Sequence, residues 1–173
     1  MPSQPLSPMT PPARTSSVQQ PKVMMSAALL SELTRPFHRK LQDEAKVASV
    51  AGNNEMAIVL SQAASEMCTE WAITALFAAR ENADLAEPIL GLFLVTDICS
   101  DRVHRVFAAL SGEKPNQQSY WPLLKTHRDR RNEVVHRGSK STGAEASESV
   151  AVVGQYLEHA ESIVSKLQAF PSK

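Results

Sequence analysis

Apolar residues recur along this chain at steps of three and four, and no stretch of any length shows the step of two that a half-buried strand requires. The last run is the clearest. Ala146, Val150, Val153, Leu157, Ala160, Val164 and Leu167 alternate steps of four and three over three heptads, the seam of an antiparallel bundle or a coiled coil. Tyr156, Ile163 and Phe170 widen the stripe toward two neighbours, and Thr142 and Glu145 stand ahead of it at capping-box spacing.

Earlier segments follow the same logic. A first helix is expected from Ala27 or Pro36 to Val50, with Leu30, Leu33, Phe37, Leu41, Ala45 and Ala48 inward. A second, over about 54–81, carries Leu60, Ala64, Met67, Trp71 and Ala75 on one stripe and Val59, Ala63, Ile73 and Phe77 on another. A third is read over 85–110. Its run Ile89–Val95 is apolar all round, too short for the ~20 residues of a membrane span, and so calls for cover from the core or from a second subunit. Cys99, Val103, Val106 and Leu110 continue that helix, with His104 on its wet side. A fourth helix opens at Ser119 as cap with Pro122 in its first turn, turns Trp121, Leu124 and Val135 to one side, and stops at Gly138. The fold class is therefore all-α, an up-and-down helical bundle of four to five helices.

Composition narrows the picture. Residues 1–25 hold six of the eleven prolines, much Ser and Gln, and no acidic residue, which predicts a disordered tail ahead of a helical domain over 26–173. Eighteen basic side chains balance eighteen acidic ones, so any nucleic-acid binding must rest on a local patch. Cys68 and Cys99 lie inside apolar patterns without metal-ligand spacing and read as buried thiols of a reducing, cytoplasmic compartment. No Gly-rich phosphate loop, nucleophile elbow or His-Glu-x-x-His is present. Catalysis, if any, is expected to need no metal and no cofactor.

The chemistry concentrates near the end of the fourth helix. From Arg128 to His136 four of nine side chains are basic, and Lys125, Arg128, Arg130, Arg131, Arg137 and Lys140 together supply a local cationic patch. Guanidinium forks suit phosphoryl oxygens, and an imidazole exchanges protons near neutral pH. Arg131 and His136 are five steps apart, roughly 140° around a helix, whereas Arg128, Asn132 and His136 share one stripe. Arg131 must then reach around, or a second copy of the helix must complete the site. Basic residues also suit a helix C-terminus for purely structural reasons. Glu66, on an apolar stripe, either pairs with Arg131 and supports the motif or lies on a solvated edge.

The pattern Arg131-Asn132-x-x-x-His136 near a helix end, followed by Arg137-Gly138, a short polar loop and an amphipathic helix, resembles the HEPN superfamily over residues 28–170. That resemblance implies a metal-independent endoribonuclease related to toxins or defence, with two motifs meeting across a homodimer. His136 would act as general base or acid, Arg131 would hold the scissile phosphate, and Asn132 would orient either. Arg128 and Arg137 would hold the strand. RNA and an antitoxin or regulatory protein are the implied partners, and no membrane is. Gly138 stands where one branch of the superfamily carries a Tyr, so no modified residue carries over. The alternative is a non-catalytic dimer that binds RNA, a nucleotide or a protein through the same patch.

Overall fold

The structure is a computed structural model, and it describes residues 35–169; the expected tail and the positions Leu30, Leu33 and Phe170 lie outside the described residues. Among these there is no strand. Six α-helices form an all-α bundle: α1 Phe37–Val50, α2 Asn54–Ala79, α3 Ala86–Leu90, α4 Asp101–Ser111, α5 Trp121–Arg137 and α6 Gly143–Ala169, with 3₁₀ turns at Ala83–Leu85 and Pro115–Gln117.

Helix α1 begins where its sequence allows. Pro36 sits at the N-cap, where its missing N–H removes no helical bond and its carbonyl accepts from the Arg39 and Lys40 amides. The inward face holds Ala45 and Ala48 as expected, with Leu41 half-buried against the core, but at its start His38 and Gln42 are buried while Phe37 is exposed. Polar partners explain it: His38 Nε2 meets Glu161 Oε1 at 2.8 Å, and the Gln42 amide donates to the Val150 carbonyl at 2.7 Å. These bonds offset part of the cost of burying the two side chains, although Gln42 Oε1 is buried with no hydrogen-bond partner among the described residues. Arg39 adds a two-pronged bond to the Glu161 carboxylate, at 2.7 and 2.5 Å.

These pairs also fix the helix directions. His38 with Glu161 and Gln42 with Val150 run α1 antiparallel to α6, while Asn54 with Ser141 and Thr69 with Tyr156 run α2 parallel to it. Arg130 with Ser149 and Tyr120 with His159 set α5 antiparallel to α6. Helix α2 is central, touching α1, α5 and α6. Its buried side chains are largely small, among them Ala57, Ser61, Ala64, Ser65, Cys68 and Ala72, which lets neighbouring backbones approach. Leu60, Trp71 and Ala75 of the expected stripe are only half-buried, and Met67 is exposed.

The expected third helix is two. After α3 the chain turns at Gly91, and Asp97 ends the irregular stretch: its carboxylate accepts the Cys99 amide and its carbonyl the Ser100 amide, both at 2.9 Å. Such local bonding competes with helix, and Ser100 followed by Asp101 is a helix start. Leu92, Leu94 and Val95 consequently face solvent while Ile89, Leu90 and Phe93 pack partly against the core, so among the described residues the run expected to be covered is covered only in part.

The fourth expected helix is α5, capped by Tyr120 rather than Ser119, with Pro122 in its first turn and Gly138 in the left-handed region (φ 64°) after its last. Tyr120 is drawn inward, its hydroxyl 2.7 Å from His159 Nδ1. Val135, expected on the inner side, is 48% exposed, and Val134 packs instead. Helix α6 follows its sequence closely. The Thr142 amide donates to the Glu145 carboxylate at 2.8 Å, the Glu145 amide to the Thr142 hydroxyl at 3.3 Å, and the whole heptad stripe is buried except half-buried Leu167. No helix among the described residues is long and apolar enough to cross a membrane.

Candidate functional site

Helix α5 carries the basic residues because its inner side needs so little of it. Leu124 and His127 are its only fully buried side chains, which leaves most of the remaining surface to polar groups. One turn after His127, Arg131 lies half-buried. Its Nη1 donates to Asn132 Oδ1 at 3.1 Å, while its Nε is shielded from solvent and has no hydrogen-bond partner among the described residues. His136, one turn beyond Asn132, is exposed and makes no hydrogen bond or ion pair among the described residues. Thus Arg131 and Asn132 are joined directly, and His136 stands apart from both.

The other basic residues divide by role. Arg128 donates twice to Asp129 Oδ1, at 3.0 and 2.8 Å, and remains beside Arg131 at the surface. Arg137 pairs with Glu133 one turn back at 2.8 Å, an exposed pair of little energetic weight. Lys125 is exposed, and Lys140 lies 3.9 Å from Glu55. Arg130 points the other way, into α6. Its guanidinium donates to the Glu145 carbonyl at 3.0 Å, Ser149 Oγ at 2.8 Å and Glu148 Oε2 at 2.9 Å. Arg130 is therefore a pin between α5 and α6 rather than part of the open patch. Replacing it by Met, which keeps the stem but not the donors, should lower stability by about 2 kcal/mol, read from the urea midpoint. A shift under a tenth of that size would return Arg130 to the surface patch.

Glu66 does not meet Arg131. Its carboxylate accepts from Gln62 at 2.8 Å on the side of α2 facing segment 83–96, and it forms no ion pair among the described residues. Two residues that the sequence reading passed over do adjoin the motif. Burial raises the Asp97 carboxyl above its ordinary range, opposed by its bond to the Cys99 amide and by the Arg128 and Arg131 guanidiniums nearby. An acidic group held this close tempers the positive charge offered by those two arginines. Burial also lowers the His127 imidazole to about 4, helped by Arg130 and Arg131, and neither ring nitrogen has a hydrogen-bond partner among the described residues. His127 is thus neutral near pH 7. The sequence signal for Asp97 was the helix start three residues later; that for His127 was its place one turn after Leu124 on the inner stripe.

Among the described residues no three His, Cys, Asp or Glu side chains converge in a way that could hold a metal ion. Both cysteines are buried and free, and burial raises their thiols, that of Cys99 to about 12. Comparison of the chain with protein-family models, curated proteins and solved structures finds no match in any of the three.

Proposed function

We propose that the chain is a HEPN-like, metal-independent endoribonuclease that acts as a homodimer. The observation that carries the reading is the joined pair Arg131 and Asn132, with an unencumbered His136 one turn beyond Asn132 on an exposed helix end. RNA brings its own nucleophile. Its 2′-oxygen attacks the adjacent phosphorus and gives its proton to a base, while the 5′-oxygen departs with a proton from an acid. Arg131 stabilises the charge on the phosphoryl oxygens, His136 serves as base or acid, and Asn132 keeps Arg131 in place. Arg128 and Arg137 hold the flanking strand, and Lys125 and Lys140 widen the path.

Since Arg131 and His136 diverge by roughly 140° around α5, a second copy supplies the facing half of the site. A toxin or defence role in the cytoplasm, with an antitoxin or regulatory protein as partner, belongs to the same reading. A second reading is favoured by the ion pairs of Arg128 and Arg137, which partly neutralise the patch: a non-catalytic dimer that binds RNA, a nucleotide or a protein there.

The test is incubation of purified protein with structured and unstructured RNAs in excess EDTA. The expected products end in a 2′,3′-cyclic phosphate. RNA that is retained on the protein but left whole would transfer the case to the second reading.

A further inference from the structure

Away from α5, a groove of about 780 Å³ opens between the outer side of α2 and segment 83–96. Met67, Leu90, Phe93, Leu94 and Val95 make it apolar, and Leu94 is fully exposed. Leu92, on the same loop, is exposed as well. This belongs to the run that was expected to be covered, and among the described residues nothing covers Leu92, Leu94 and Val95. An apolar surface of this kind marks a binding face.

Its charge specifies the occupant. Glu66, Glu70 and Glu87 line the groove; among the described residues no Lys, Arg or His does, and none of the three carboxylates has an ion pair. The groove follows α2 from Ala63 to Thr74, about 16 Å or three helical turns. Glu66 and Glu70 stand one turn apart along it, with Met67 on the same side. A strip of apolar surface of that length, edged by carboxylates at helical spacing, is complementary to a helix with leucine-like anchors along one face and lysine or arginine beside them. An anionic lipid surface would be repelled by the same carboxylates.

We infer that this groove is the docking site for a basic amphipathic helix of a partner protein. It stands independently of the ribonuclease reading, because no residue of the α5 motif lines it.

The probe is a fluorescein-labelled peptide of leucine and lysine at helical spacing, about four turns long, titrated against the full chain by anisotropy. Its counterpart with glutamate in place of lysine serves as the control. The basic peptide should bind, and the acidic one should not. A double charge reversal, Glu66→Lys with Glu70→Lys, should weaken binding by at least about tenfold, as should Leu94→Ser on the apolar side. All three side chains reach solvent, so native melting of the variants is expected and is checked first. Equal affinity of wild type and variants for the basic peptide would overturn the assignment. So would preferential binding to vesicles of phosphatidylserine and phosphatidylcholine. Self-association that Leu94→Ser abolishes, with no peptide binding, would instead assign the groove to a second copy of the chain.

Discussion

His136→Ala should slow RNA cleavage by roughly 10²- to 10⁴-fold while leaving the thermal melt where it is, because the imidazole is exposed and has no hydrogen bond among the described residues. Arg131→Ala should cost about 10²- to 10³-fold through loss of charge stabilisation at phosphorus. The informative measurement is the mixture. In a dimer where Arg131 of one copy serves His136 of the other, equilibrating the two variants recreates one intact Arg and His pair per heterodimer, and activity returns. If both residues act within one copy, no heterodimer holds an intact site and the mixture stays inactive. A His136→Ala protein as active as wild type would end the assignment of this residue altogether.

The second large effect is on stability in acid. His127 is fully buried and holds its proton only below about pH 4, whereas in an unfolded chain an imidazole titrates near 6.5. Between those values the unfolded state binds more protons than the folded one. Stability contributed by the neutral ring is thus complete above pH 6.5 and falls as pH drops toward 4, by roughly 3 kcal/mol. Below pH 4 both states carry the proton and the loss stops growing. His159, also lowered by burial, adds a slope of the same sign, and Asp97, whose carboxyl is raised, adds one of opposite sign. The quantity to measure is therefore the difference between wild type and His127→Leu in urea unfolding across pH 4–7. The variant removes from the interior two ring nitrogens that have no partner among the described residues, and should lose much less stability on acidification. Parallel curves would show that some other group governs the acid limb.

How far the sequence could be read depended on how each segment gets its order. Helix α6 is legible because its burial is almost wholly apolar and its start is a local exchange between Thr142 and Glu145. Helix α1 is less so. Its inner face is chosen by His38 and Gln42, whose burial depends on Glu161 and the Val150 carbonyl, more than a hundred residues away in sequence. The break after Leu90 was masked by a continuous apolar run, although Ser100 and Asp101 announced the next helix. In the site, the Arg131 and Asn132 pair follows from adjacency, while the division between Arg128 and Arg130 does not. Both look equally basic in sequence, and only the position of α6 turns Arg130 into a pin. Asp97 and His127 were missed for the same reason: what matters about each is what surrounds it.

The place of Cys99 has a use of its own. Its thiol lies two residues beyond the Asp97 carboxylate, at the joint between the exposed loop and α4, buried and poorly acidic. A thiolate reagent reaches it only when that joint opens, so its modification rate is a clock for local unfolding there. Cys68, deeper in α2, times the opening of the core in the same tube. Two native thiols thus report two depths of motion without any added label.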